Sequence, residues 1–149
     1  AIGLTVTGPR QAETVERALE VGGFDTVQAT WNLLERTAGP VLGAAHAAGV
    51  GVIVKEPLAN GRLTDRGEIA GFLAAARQVG VTPDAVALAA VLAQPWADVV
   101  LSGAATTNEL ESNLAALKVR FDPEIFERFD EIQEDSVTYW KTRAELPWN

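Results

Sequence analysis

The chain has 149 residues, of which 48% are hydrophobic and 21% charged, enough for one globular domain with a sizeable core. Its net charge of −8 argues against general nucleic-acid binding, and the absence of cysteine excludes disulfides and thiolate metal sites. No apolar run approaches the roughly 18 residues of a membrane span, and the first residues lack the regions of a secretory signal.

The elements follow from the apolar pattern. AIGLTV (1–6) reads as a short buried strand, as though the chain's true beginning lay upstream of Ala1. Residues 11–22 place Val15, Ala18, Leu19 and Gly22 at helical spacing, and the β-branched, aromatic FDTVQATW (24–31) predicts a second strand. A small-residue helix over 40–49 stops at Gly49. VGVIVKE (50–56) is a continuous buried strand of the kind found in covered parallel sheets. After Pro57 come a Gly/Asn loop, a helix near 68–79, and another over 82–95 with Thr82 as cap, Pro83 in its first turn and Pro95 closing it. ADVVLSG (97–103) is the last predicted strand, and 107–117 the helix after it. A further amphipathic helix over 122–134, capped by Asp122, carries Ile125, Phe126, Phe129 and Ile132 on one face. Residues 135–149 form a polar and aromatic tail with weak periodicity.

Strands that alternate with helices at this spacing are parallel, because each crossover is too long for a hairpin. The expected fold is an α/β, parallel (βα)4 half of a (β/α)8 barrel with an extra C-terminal helix. A small, open, doubly wound sheet is the alternative, since the sequence does not show strand order. Residues 100–114, VLSGAATTNELESNL, pose a chemical question within that frame. A strand, a glycine turn and a helix start commonly hold phosphate, yet the only charges here are Glu109 and Glu111.

Several stretches together resemble the C-terminal half of an aldo-keto reductase. AIGLTVTG resembles the family's fifth strand, FDTVQATWNLLER the sixth with its Gln, and GVGVIVKEPLANGRLT the seventh with its PLA-x-G-x-L loop. TPDAVALAAVLAQPWADVVLSGAATTNELESNLAAL is similar to the last two helices around the eighth strand. The resemblance covers nearly the whole chain, in order. It implies residues 1–149 as half of a barrel domain, with 135–149 as its C-terminal tail or loop. It also implies hydride transfer between a nicotinamide dinucleotide and a small carbonyl or alcohol.

In that family a tyrosine acid, assisted by Lys, Asp and His, belongs to the first half of the barrel, and none has a counterpart here. Tyr139 and His46 are the chain's only tyrosine and histidine. Packing or pocket lining suits Tyr139 better than proton donation, and a helix-face role suits His46. No catalytic residue and no metal site are therefore expected, and the chain alone is expected to be inactive.

The resemblance assigns the cofactor contacts residue by residue. Thr5 matches a hydroxyl that touches the nicotinamide carboxamide, while Val6 stands where many members carry Asn. Gln28 matches the strand-six Gln; bonding to backbone is its other reading. Lys55 falls near a position usually filled by a stacking aromatic, and either pairs with Glu56 or approaches the pyrophosphate. Pro57, Leu58, Asn60 and Gly61 would surround that pyrophosphate, or form an ordinary turn, and Arg62 would reach phosphate or solvent.

Gly103, Ala104 and Ala105 match the turn after strand eight. Ser112 and Asn113 match a pair that meets adenine, or they are polar residues on a helix face. Glu109 stands where members that prefer a 2′-phosphate often carry Arg. It would repel that phosphate and accept from a free ribose hydroxyl, so the cofactor, NAD or NADP, leans to NAD. Tyr139, Trp140, Leu146 and Trp148 resemble the loop over the substrate pocket, or staple the tail to the barrel.

The rival reading is a non-enzymatic half-barrel module that binds nucleotide weakly or acts as an assembly unit. In either case the missing N-terminal half or self-association is the expected partner, because an isolated half-barrel exposes two sheet edges. The expected location is the cytoplasm.

Overall fold

In the computed structural model, which describes residues 1–120 and 127–147 and only the backbone of Val79, four parallel strands form one sheet. They are β1 (Gly3–Thr5), β2 (Thr26–Thr30), β3 (Gly51–Lys55) and β4 (Val99–Val100), in spatial order β1-β2-β3-β4. The registers Thr5↔Gln28, Gln28↔Ile53 and Ile53↔Val99 define one row across the sheet. A doubly wound sheet reverses its strand order at a switch point. This sheet does not: it runs sequentially, as the strands of a (β/α)8 barrel do.

The two faces of the sheet differ. Val27, Ala29, Val52 and Val54 point to one face and are buried. There they meet Val15 of α1 (Gln11–Val21), Val41, Leu42 and Ala45 of α2 (Gly39–Ala47), and Val91. Val91 belongs to α4 (Pro83–Leu92), which follows α3 (Ala70–Val79). Of the alternate residues, which face the other way, Thr26, Gln28, Ile53 and Lys55 stay partly open, while Thr30 at the end of β2 is buried beside the Glu56 carboxylate. Period-2 alternation in β2 and β3 thus separates a covered face from an uncovered one. The continuous apolar run over 50–56 led instead to an expectation of burial on both faces.

Three side chains complete the ladder where strands run out. β1 ends at Thr5, but beyond Val6, whose N–H still reaches Gln28, the buried Gln11 carboxamide takes over. It donates to Thr30 O at 2.9 Å and accepts from Thr30 N at 3.1 Å, so it acts as one more peptide group beside β2. At the opposite end, Asp25 accepts from Ile2 N–H at 2.5 Å and Asp98 from Val52 N–H at 2.7 Å. Each aspartate stands just before a strand and satisfies the start of the strand preceding it.

α4 begins at Pro83 as expected, but the Thr82 side chain makes no cap; its hydroxyl lies 3.0 Å from the Ser112 hydroxyl. α5 (Thr107–Leu114) continues as a 3-10 turn over Ala115–Lys118. Of the helix expected over 122–134, residues 122–126 lie outside the described residues. The rest contains a 3-10 turn, Asp130–Ile132, with Phe129 in the second core cluster. The tail holds a helix that its weak periodicity concealed, α6 (Ser136–Glu145), begun by the Asp135 carboxylate accepting from Thr138 N–H at 3.0 Å.

Candidate active-site face

Thr5 at the end of β1, Gln28 in the middle of β2 and Lys55 at the end of β3 stand on the uncovered face. Thr5 and Gln28 are paired in register, and the threonine hydroxyl donates to Gln28 Oε1 at 3.4 Å. That contact leaves the Gln28 amide nitrogen available as a donor above the sheet. Val6 points into the covered core.

Beyond β3 the backbone takes conformations that L-residues rarely adopt: φ is 55° at Glu56, 47° at Ala59 and 55° at Asn60. Several contacts hold Glu56 there. Its carboxylate is gripped by the Arg143 guanidinium, with Nε at 3.2 and 3.0 Å from the two oxygens and the second nitrogen also bonded. Its carbonyl accepts from Asn32 Nδ2 at 2.9 Å and from Ala59 N–H at 3.0 Å. Pro57 and Ala59 are buried, Leu58 is half-buried, and Asn60 is exposed at the tip beside Gly61. Arg62 does not point to solvent or to a ligand: it pairs with Glu134 and lies over the Tyr139 ring, 5.9 Å from its centroid. Lys55 makes no ion pair with any described residue, since Glu56 is committed to Arg143. Burial holds its ammonium below the ordinary lysine range; Glu56 opposes that shift and Arg143 reinforces it.

The β4–α5 turn is tightly built. Glu109 closes a capping box, accepting from Ala105 N–H at 2.9 Å and Thr106 N–H at 3.1 Å while Thr106 Oγ1 accepts from its own N–H. Those amides hold its carboxyl below the usual range, so it stays anionic. Its other oxygen meets Arg66, which crosses from the loop after β3 to 3.2 Å. Asn113 is buried and donates to Ser102 O at 3.1 Å, tying the helix to the end of β4. Ser112 faces Thr82. Gly103 has a φ of 67°, and a Cβ there would meet nothing within 4 Å, so the turn stands open above it. Ala104 is half-buried and Ala105 exposed.

The aldo/keto reductase family profile matches residues 1–134. The chain belongs to the aldo/keto reductase family. It is 30% identical to the uncharacterized oxidoreductase YrpG of Bacillus subtilis (strain 168) over a 144-residue alignment that covers 82% of this chain and 44% of that protein. Among solved structures it resembles the aldo-keto reductase AKR11C1 from Bacillus halodurans. The apo form gives a TM-score of 0.69 at 18% identity, covering 89% of this chain; the holo form gives 0.70 at 19%, covering 91%. Each alignment covers 50% of the AKR11C1 chain, so this chain spans about half the length of the relatives it matches.

For an aldo/keto reductase chain, the arrangement brings together some of the residues singled out by sequence and separates others. Thr5, Gln28 and Lys55 share one face of the sheet, and the 56–61 loop follows directly from the end of β3. Glu109, Ser112 and Asn113 spend side-chain bonds within the chain. Tyr139 and Trp140 are packed in the second core cluster, at 1% and 8% exposure. Burial pushes the Tyr139 phenol well above its ordinary range, and its hydroxyl accepts from Asn32 at 3.0 Å. Asn32 is the residue that sequence reasoning missed. Its Oδ1 also accepts from Leu34 N–H and Glu35 N–H, both at 3.0 Å, so its four bonding positions join the post-β2 loop, Glu56 and α6.

His46 lies at the other end of the sheet, 3.3 Å from Asp98. Among the described residues there is no group of three metal-ligating side chains, and no helix is long and apolar enough to cross a membrane.

Proposed function

We propose that this chain is the cofactor-binding, C-terminal half of an NAD(P)-dependent aldo-keto reductase, with residues 1–149 forming half of one barrel domain. The Thr5–Gln28 pair carries the reading. It sets a hydroxyl and a free amide donor side by side on the uncovered sheet face, one layer below the C-terminal ends of β2 and β3, the side on which barrel enzymes hold their ligands. Those groups fit a carboxamide, whose carbonyl accepts from Gln28 and whose NH₂ donates to the threonine oxygen.

The bound nicotinamide supplies hydride chemistry on a carbonyl or alcohol substrate. This chain's own residues bind and orient. Gln28 and Thr5 fix the carboxamide, and the strained 56–61 loop and the open turn at Gly103–Ala105 offer backbone to the phosphates. Ser112 and Asn113 shape the adenine end through the helix start they brace. Tyr139 and Trp140 form the wall behind the substrate side. The acid–base groups lie outside this chain, which is inactive by itself; the complementary barrel half, or a second copy, covers the uncovered face.

The pair Arg66–Glu109 governs the choice of dinucleotide. Glu109 is held anionic by two amides and neutralises Arg66, so a 2′-phosphate meets no net positive charge there, whereas a ribose hydroxyl finds an acceptor. The chain therefore prefers NAD(H). Titrating it with NADH and NADPH by nucleotide fluorescence should give the tighter curve for NADH. Glu109→Gln, which keeps an acceptor for the cap but removes the charge, should move the preference toward NADPH. Absence of saturable binding of either nucleotide refutes the reading, and tighter NADPH binding by the unaltered chain refutes the preference.

A further inference from the structure

We propose that Lys55 recognises the carboxylate of an oxo-acid substrate, and that the Arg143–Glu56 pair keeps its ammonium available for that role. This inference rests on the reading that the uncovered sheet face is a ligand site.

Three charged groups converge at the C-terminal end of β3, and their pairing is unequal. Glu56 follows Lys55 directly and is its nearest candidate counter-ion. Arg143 of α6 takes that carboxylate in a two-pronged grip, supported by Thr30 Oγ1 at 3.4 Å from Oε2. One negative and one positive charge cancel, and Lys55 remains as a single excess positive charge. It lies on the same face as Ile53, one layer further along β3 than the Thr5–Gln28–Ile53 row, a step of about 6.6 Å. In a chain of net charge −8, it is a half-buried ammonium without an ion-pair partner among the described residues.

Partial burial has removed water from that ammonium, and the Glu56 carboxylate acts on it only at a distance and against Arg143, so an anionic oxygen group arriving from solvent gains a charge-assisted hydrogen bond at little further desolvation cost. One excess charge matches a monoanion. Lys55 stands one layer beyond the row that holds Thr5 and Gln28, so its ammonium meets a carboxylate directed toward the strand end rather than the carboxamide placed on that row. The phosphates of a dinucleotide share the anionic chemistry and are the competing source.

The chain contains only three lysines, Lys55, Lys118 and Lys141, so ε-¹³C-lysine labelling gives a spectrum with an internal control. The labelled chain is titrated with pyruvate, with methyl pyruvate as the uncharged control, and with inorganic pyrophosphate. The expected result is a saturable shift of the Lys55 signal with pyruvate alone, with Lys118 and Lys141 unmoved. Lys55→Gln should weaken pyruvate binding by about tenfold or more, the scale of one charge-assisted bond, when it is followed through the amide signals of β3.

Arg143→Gln provides a second arm: it releases Glu56 to pair with Lys55 and should abolish the response although Lys55 is intact. Glu56→Gln combined with Arg143→Gln should restore it. A Lys55 shift that is unsaturable, equal for methyl pyruvate, shared by all three lysines, or tighter for pyrophosphate overturns the proposal. So does a failure of the double variant to restore binding when its amide spectrum is that of the folded chain. Nucleotide titration is read independently: loss of dinucleotide binding with a retained Lys55 response removes the oxidoreductase reading and leaves the carboxylate site standing.

Discussion

Asn32 is the residue on which the strand ends depend. Its side chain uses both donors and both acceptor positions, toward Glu56 O, Tyr139 Oη, Leu34 N–H and Glu35 N–H. Asn32→Asp keeps the acceptors but removes the donors and sets a carboxylate oxygen against the Glu56 carbonyl. The expected destabilisation is about 3 kcal/mol, from the lost bond to the Glu56 carbonyl and the burial of a carboxylate oxygen facing it, while the Tyr139 hydroxyl can turn to donate to the new carboxylate. Urea unfolding monitored by tryptophan fluorescence checks it. Asn32→Ala should cost less than Asn32→Asp if the buried charge outweighs the lost bonds. Little of this was legible in the sequence. Gln28 drew attention as a polar residue inside an apolar strand, whereas Asn32 and Gln11 lie outside the strands, where polar residues are ordinary. Their contribution depends on which chain segments fold back beside them, and periodicity carries no information about that.

At the scale of elements, acidic side chains serve as joints. Asp135 starts α6, Glu109 starts α5, and Asp98 closes the base of β3 with help from His46. All three carboxyls are held below their ordinary range, Asp98 and Glu109 chiefly by the N–H donors they accept from, and Asp135 chiefly by the Thr138 side chain and then by the Thr138 N–H. A carboxyl with a lowered folded value binds fewer protons folded than unfolded between the two values, so stability rises with pH across that window. The stabilisation is complete above the usual carboxylate range, about 4. It is lost as pH falls through the lowered values. Hydrogen exchange should therefore show the Thr138, Ala105 and Val52 amides losing protection together below about pH 4, and Asp135→Asn should flatten the response at Thr138 alone. If the three amides lose protection only with the whole chain, these joints are not separately titrated.

The sequence revealed α4 through Pro83 and α5 through its position after the last strand. It concealed α6, because that helix packs through two adjacent aromatics, Tyr139 and Trp140, and single polar contacts rather than through an apolar stripe at helical spacing: Arg143 on Glu56, Tyr139 on Asn32, and Asp135 at its cap.

The whole molecule is an arc of strands in sequence order, with one face covered and the other partly open. Among the described residues, the outer strands β1 and β4 have no further strand paired to their outer edges. Apolar side chains stand at those margins: Ile2 is 62% exposed, Val99 49% and Leu101 41%. Leu110, Leu114 and Leu117 also stand exposed along α5 and the turn after it, beside the β4 edge. Sequence order of strands was enough to suggest this arc, but the sequence could not show that Gln28 and Lys55 would remain open, since a run such as VGVIVKE reads as buried throughout.

An unpaired parallel edge flanked by apolar residues associates unless a further strand covers it. The chain should therefore sediment as a dimer or larger species, and mass should fall with dilution rather than stay fixed. Replacing Val99 and Leu101 together by Lys puts like charges on the β4 edge of every copy and should shift the population toward monomer without loss of the sheet's circular dichroism. A chain that sediments as a monomer at all concentrations and unfolds cooperatively would show that the partly open face and edges are stable in water by themselves. The need for a complementary half would then fall, although nucleotide binding at Thr5 and Gln28 could still be measured on the same monomer.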